Sequence, residues 1–223
     1  MERRLPIYLM LDVSGSMSGE PIKAVREGVK LVYENLIASP VAMDVAYVSV
    51  ITFGTKAEEA VPLTGVFEFR VPEIKAEGFT AMGAALSLLA DSIERDIKHK
   101  KDANERGDYR PIVFLLTDGA PTDDQVNKEG INPFEEGVRR IHEITFANFI
   151  ACGAGEKADM GKLEYITSGL RKNGFAVPMR DFNGETINKF FQLVSDSIVS
   201  FAETPSDSGF DAGIENDFVN LLK

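Results

Sequence analysis

Short apolar runs alternate along this chain with segments whose apolar residues recur every three or four positions, and that alternation restricts the fold more than any other feature. The runs Leu5 to Leu11, Val45 to Phe53, Ile112 to Leu116, Asn148 to Cys152 and Phe175 to Met179 read as buried strands, Val45 to Phe53 being especially rich in β-branched and aromatic residues. Between them lie helical stripes. The first, Ile22, Val25, Val29, Val32, Tyr33 and Leu36, follows Glu20-Pro21, a dipeptide suited to a first helical turn, and runs to about Ala38. Others are Met82, Ala85, Leu86, Leu89, Ile93 and Ile97; then Phe134, Val138, Ile141 and Ile144; then a segment around Lys162 to Ser168. The last, from about Glu185 to Phe201, turns Ile187, Phe190, Phe191, Val194, Ile198 and Phe201 toward the core. Such alternation predicts an α/β fold, a central and mostly parallel sheet with helices on both faces. A weaker strand near Ala60 to Leu63 contains Pro62, which confines it to an edge.

With 223 residues, 44% of them hydrophobic, the chain is long enough for one such domain around a single core. That domain is expected to span residues 1–202. From Glu203 to Asp217 the composition turns acidic and rich in Ser, Gly and Asp, so residues 203–223 are expected to form an acidic flexible C-terminal tail. The apolar Phe218, Val219, Leu221 and Leu222 near its end are free to dock on the domain or on a partner. The charged run His99 to Asp108 reads as a solvated loop, and Ala120 to Pro133 as a polar, turn-rich connection.

The chemistry concentrates where two strands end. Directly after the first strand comes Asp12-Val13-Ser14-Gly15-Ser16, which puts one carboxylate and two hydroxyls on a single turning loop. Thr80, in Gly78-Phe79-Thr80, stands just ahead of a helix, and Asp118, in Thr117-Asp118-Gly119, directly follows the run Ile112 to Leu116. Carboxyl ends of strands are where ligands gather in open α/β sheets, so one crevice can hold all five side chains. Few carboxylates plus neutral hydroxyls suit magnesium, which prefers octahedral oxygen ligation and gives up its waters reluctantly. A position left to water can accept an oxygen from another molecule. In the plainer alternative Ser14 and Ser16 shape a turn, Thr80 caps a helix, and Asp118-Gly119 is another turn.

The set Asp12, Ser14, Ser16, Thr80 and Asp118, with its strand context, resembles the metal-ion-dependent adhesion site of von Willebrand factor A domains, and the resemblance runs from about Leu5 to Phe201. It implies the Rossmann-like α/β fold of that family, a central mostly parallel sheet with one antiparallel edge strand and helices on both faces. It also implies one divalent cation, Mg²⁺ or else Mn²⁺ or Ca²⁺, with Ser14, Ser16 and Thr80 as direct or near-direct ligands and Asp12 and Asp118 acting largely through water. Its function would be a non-enzymatic one: capture of an Asp, a Glu or a terminal carboxylate of a partner protein. Arg4-Leu5-Pro6-Ile7-Tyr8, Gly19-Glu20-Pro21-Ile22 and Tyr47 to Phe53 resemble bacterial TerY-type proteins associated with tellurium resistance. That likeness implies a tellurite-resistance or stress-response setting with kinase and phosphatase partners.

Other classes fit less well. Against 35 Asp and Glu stand 24 Lys and Arg, a formal net charge of −11, which disfavours broad attraction to nucleic acid or anionic membranes. The basic start followed by Leu5 to Leu11 has the outline of a signal peptide but is short, ends in Asp12 and lacks a small-residue cleavage site. No stretch approaches the ~20 apolar residues of a membrane span. A single cysteine, Cys152, excludes an intramolecular disulfide framework and reads as a small buried hydrophobe. A cytoplasmic protein is expected.

Gly153-Ala154-Gly155-Glu156-Lys157-Ala158 matches a dinucleotide fingerprint, but lies late in the sheet and lacks an acidic residue at the ribose spacing, so turn glycines explain it better. His99 and His142 fall on or beside charged helical surface and read as solvated, and Asp123-Asp124 as solvating a loop or modulating the metal. The enzymatic alternative is a metal-dependent phosphohydrolase or phosphate-binding enzyme. Such enzymes need a second carboxylate two residues after the first, where this chain has Ser14. A scaffold with a vestigial site is the third possibility.

Overall fold

The computed structural model describes residues 3–99, 106–170, 173–206, 209–210 and 212–221. Leu5–Asp12 (β1) runs through the middle of a six-stranded sheet, with Ala46–Phe53 (β2) parallel on one side and Ile112–Thr117 (β4) parallel on the other. Asn148–Ala154 (β5) and Gly174–Met179 (β6) continue the parallel sheet beyond β4, and Ala57–Gly65 (β3) pairs antiparallel with β2. The strand order is β3-β2-β1-β4-β5-β6. Both rims carry a proline, Pro62 in β3 and Pro178 in β6, as strands with one unpaired side permit.

All eight residues of β1 are buried, because successive side chains serve opposite half-cores. Leu5, Ile7, Leu9 and Leu11 join the cluster that includes Val25, Val29 and Val32 of Glu20–Ala38 (α1) and Phe190, Phe191 and Val194 of Gly184–Glu203 (α6). Tyr8 and Met10 face the other way, with Leu86 and Leu89 of Met82–Asp96 (α3), Val138 and Ile141 of Pro133–His142 (α4), and Leu163 and Ile166 of Met160–Ser168 (α5). Small residues let the helices approach. A Cβ on Gly137 would lie 2.6 Å from the Gly83 carbonyl oxygen, and one on Gly83 would lie 2.4 Å from the Phe134 nitrogen, so α3 and α4 meet backbone to backbone.

Three regions differ from expectation. Pro40–Val45 (α2) is a separate short helix, begun by Ser39, whose side chain accepts from the Ala42 N–H, and by Pro40 in the first turn. Of the charged run His99 to Asp108, residues 100–105 lie outside the described part; His99 and Arg106 are exposed, but the Asp108 side chain is not. Asp108 is buried, bonded to the Arg4 guanidinium, and accepts from the Lys98 N–H at 2.8 Å, tying the start of β1 to the approach to β4.

The stretch expected as a flexible tail carries a further helix, Ala212–Leu221 (α7). Its Phe218 is fully buried among the rings of Phe114, Phe175 and Phe190, at centroid distances of 6.0, 6.3 and 6.2 Å. Phe210 packs on Phe201 at 5.3 Å. Phe218 and Phe210 thus dock on this domain, and these two aromatic anchors outweigh the polar composition around them, whereas Leu222 and the Leu221 side chain lie outside the described part. Phe218→Ala should lower unfolding free energy by about 3 kcal/mol, as expected for a buried Phe truncation. Urea unfolding checks this, and an unchanged midpoint would show that the segment adds nothing to the fold.

Candidate metal centre

β1 leads through α1 to β2 on one side, and β4 leads through α4 to β5 on the other, so the chain order reverses between β1 and β4. A crevice opens there at the carboxyl ends of the strands. The register places Leu11 beside Leu116, and hence Asp12 beside Thr117. The buried Asp12 carboxylate accepts the Ser14 N–H at 2.7 Å on Oδ1 and the Thr117 hydroxyl at 2.5 Å on Oδ2. After Asp12 the chain tightens into a short 3₁₀ turn, Gly15–Met17. This turn sets Ser14 Oγ 3.0 Å from Ser16 Oγ, and Ser16 Oγ donates to Asp118 Oδ1 at 2.8 Å.

Thr80 arrives from a different loop that is laced to the first. Glu77 N–H donates to the Val13 carbonyl at 2.7 Å, Gly15 N–H to the Gly78 carbonyl at 3.0 Å, and Ala81 N–H to the Gly54 carbonyl at 2.9 Å. Gly78 sits at φ 75°, with Thr55 Oγ1 only 1.8 Å from where a Cβ would stand, so no other residue fits the crossing. Thr80 itself is buried, and its Oγ1 lies 3.4 Å from the position of a Cβ on Gly119, next to Asp118. Its backbone is bracketed by Thr122, which accepts the Thr80 N–H at 3.1 Å and donates its own N–H to the Thr80 carbonyl at 3.0 Å. All five residues read from the sequence therefore meet at one crevice.

The capping role in the plainer alternative does not describe Thr80, while Ser14 and Ser16 do stand at and in a turn. Neither Ser14 nor Ala81, the residues preceding the 3₁₀ turn and α3, makes a side-chain cap, and Thr80 caps nothing. Asp123 does that work, accepting the Gly83 and Ala84 N–H groups at 3.0 and 2.9 Å, and so is a helix cap and not a free solvating residue.

The donor set is all oxygen, three hydroxyls and two carboxylates. Among the described residues no group of three or more His, Cys, Asp or Glu is placed to hold a metal, so any cation here depends on the hydroxyls. Neighbouring ligands in an octahedron with metal–oxygen bonds of about 2.0–2.1 Å lie about 2.9 Å apart. The Ser14–Ser16 and Ser16–Asp118 separations of 3.0 and 2.8 Å are hydrogen-bond lengths that also accommodate that spacing. Electrostatics point the same way. Burial pushes the Asp12 carboxyl up to about 6, against the pull of its bonds from Thr117 and Ser14. Burial also raises Asp118, opposed by the Ser16 hydrogen bond and more weakly by the charge of Lys157. Two adjacent carboxylates kept from water gain from a cation between them. The residues fit a hard divalent ion.

The sequence profile of the von Willebrand factor type A domain matches residues 7–192. The chain belongs to this family. This VWA domain is similar in fold to a von Willebrand factor type A protein from Catenulispora acidiphila, at 19% identity and a TM-score of 0.66 over 88% of this chain and 43% of that one. The pilus adhesin SpaC from Lactobacillus rhamnosus GG, in an open conformation, gives 13% identity and a TM-score of 0.65 over 89% of this chain and 30% of that one. For the ArnB paralog VWA2 from Sulfolobus acidocaldarius the figures are 16%, 0.54, 89% and 45%. The VWA domain thus spans less than half the length of each of these proteins. No curated protein sequence matches it.

Other residues singled out in the sequence find structural roles in the VWA fold. His142 is half-buried and not simply solvated: its Nε2 lies 2.9 Å from the Ile166 carbonyl and its ring fills the space beside Gly169, joining α4 to α5. Gly153 lets Met160 and Leu163 press against β5, while Gly155 turns the chain at φ 76°; α5 starts only at Met160, capped by Asp159. Cys152 is fully buried. Among the described residues no helix is long and apolar enough to cross a membrane. Sequence reasoning gave no role to Thr117, although its place at the end of β4, level with Asp12, was the available signal.

Asp12 makes a testable prediction for the metal-free protein. Its folded pKa of about 6 exceeds the unfolded carboxylate value of about 3.9, so between those values the folded state holds a proton that the unfolded chain does not. This group therefore adds stability as pH falls through 6 toward 4 and removes it as pH rises again. Asp12→Asn, which keeps an acceptor for Ser14 and a partner for Thr117, should melt no lower than the parent at about pH 7 in chelator, and its advantage should vanish toward about pH 4. Thermal melts across that range decide; a difference independent of pH would contradict the assignment.

Proposed function

We propose that this VWA domain holds one divalent cation, magnesium in the first instance, at Asp12, Ser14, Ser16, Thr80 and Asp118. Through that cation it captures a carboxylate of a partner protein, an Asp or Glu side chain or a chain terminus. The observation that carries this reading is the run of oxygens from Ser14 through Ser16 to Asp118, spaced at 3.0 and 2.8 Å like neighbouring ligands of one ion. Bound there, the cation supplies a Lewis-acidic position toward an outside oxygen. The protein's part is to hold the hydroxyls in place: Asp12 fixes the turn through the Ser14 N–H, and the Gly78 crossing fixes Thr80. Because three of the five donors are neutral, negative charge around the ion stays low, and an incoming carboxylate remains attractive to it.

A binding role also agrees with the family, whose members often mediate metal-dependent protein interactions, and one similar structure is named as a pilus adhesin. The resemblance to TerY-type proteins suggests a bacterial, cytoplasmic tellurite-resistance or stress-response system, with a kinase or phosphatase as partner. We read the domain as non-enzymatic. Both oxygens of Asp12 are taken up by hydrogen bonds from Ser14 and Thr117, which suits a residue that holds a loop and not an attacking nucleophile.

Ser14→Ala combined with Ser16→Ala should abolish Mg²⁺ and Mn²⁺ binding in calorimetry while moving the unfolding free energy of the metal-free protein by no more than about 1 kcal/mol, since these side chains ligate and do not pack. A large loss of stability, or retained binding, would refute the ligand assignment. Partner capture should disappear with chelator and return with magnesium. Phosphatase turnover that is lost in Asp12→Asn would instead favour the enzymatic alternative.

A further inference from the structure

Of the fifteen phenylalanines in the chain, only Phe67 and Phe79 stand in solvent. Phe67 follows β3, away from the crevice, but Phe79 directly precedes Thr80 and is 67% exposed. Its backbone is not free to hide it. On one side Gly78 is pinned by the Gly15 N–H and wedged against Thr55; on the other, Thr80 is bonded twice to Thr122. An aromatic ring is thus presented outward from a rigid stretch beside the candidate cation. Val126 and Ile131, on the loop that follows Asp118, are exposed as well, so three of the eight exposed large apolar side chains of the described residues lie on the two loops that complete the crevice.

The opposite flank has a different character. Phe79 belongs to the loop bonded to Gly54 at the end of β2, whereas Lys157 lies just beyond β5, so the two bracket the β1–β4 crevice from either side of the strand order. Lys157 is exposed, and its charge reaches Asp118. Rigid aromatic side chains beside a polar contact bind with little loss of freedom and exclude water from it, and a metal–carboxylate bond strengthens when water is excluded.

We infer that Phe79 is a specificity-determining residue, and that the partner segment is a peptide whose metal-bound Asp or Glu has an aromatic or large aliphatic neighbour seated on Phe79. This rests on the carboxylate-capture reading above and narrows it. Lys157 on the other flank adds electrostatic complementarity to an acidic segment.

The test uses synthetic hexapeptides, acetylated at the N-terminus and amidated at the C-terminus so that one Asp is the sole carboxylate, titrated by NMR into the full chain with saturating Mg²⁺. The sequences are Gly-Gly-Asp-Phe-Gly-Gly, Gly-Phe-Asp-Gly-Gly-Gly, Gly-Gly-Asp-Gly-Gly-Gly and an Asn control for each. At least one Phe-containing Asp peptide should bind roughly two- to tenfold more tightly than the all-Gly one, the range of an aromatic pair. Phe79→Ala should bring that ratio to about one while leaving Mg²⁺ binding and the melting temperature unchanged, because the ring neither ligates nor packs. Equal binding of all three Asp peptides, or a preference that survives Phe79→Ala, would overturn the role of Phe79 while leaving carboxylate capture standing. Binding of Mg²⁺ with no response to any Asp peptide would instead overturn carboxylate capture, and this inference with it.

Discussion

The lateral pairing of β1 with β4 is the constraint on which the carboxyl edge of this molecule depends. Two parallel strands in register end at Asp12 and Thr117, and the hydroxyl of one secures the carboxylate of the other. From that anchor the Ser14 N–H is drawn back onto Asp12, the 3₁₀ turn follows, and Ser16 comes within reach of Asp118. Without the pairing the same residues would be three polar loops. With it they form one cluster of oxygens whose two carboxylates are buried, at a cost that a cation or a proton relieves.

The second support is the backbone lacing between loops. Thr80 is far from Asp12 in sequence, and it is delivered by bonds at Glu77, Gly78 and Ala81 to residues next to β1 and β2. The Gly78 crossing leaves no space for a side chain, so the position of Thr80 is set by backbone geometry and does not wait for a ligand. Such preorganisation keeps the Thr80 hydroxyl from an ordinary capping role, and Asp123 takes over the helix end that Thr80 leaves uncapped.

Much of this was legible in the residues because it rests on local pattern. The strands of the parallel sheet were visible as short apolar runs, the edge strand through Pro62, and the five oxygen donors through their places at strand and helix ends. What escaped depended on contacts between distant segments. His142 looked like surface because its own helix is charged, yet its ring is wedged against α5. Asp123 looked like a solvated acid because its partner helix lies some forty positions earlier. The stretch after Glu203 looked disordered on average composition, which undercounts two aromatic side chains that find a ready-made cleft between β4, β6 and α6. The short α2 was missed because its length lies below what periodicity can register, although Ser39-Pro40 announced it.

The prolines in β3 and β6 bear on how this domain meets its surroundings. Each occupies a rim of the sheet, where a missing amide hydrogen interrupts the row of groups that a stray strand would zip onto. Lateral growth of the sheet into dimers or fibrils is thereby discouraged at both borders.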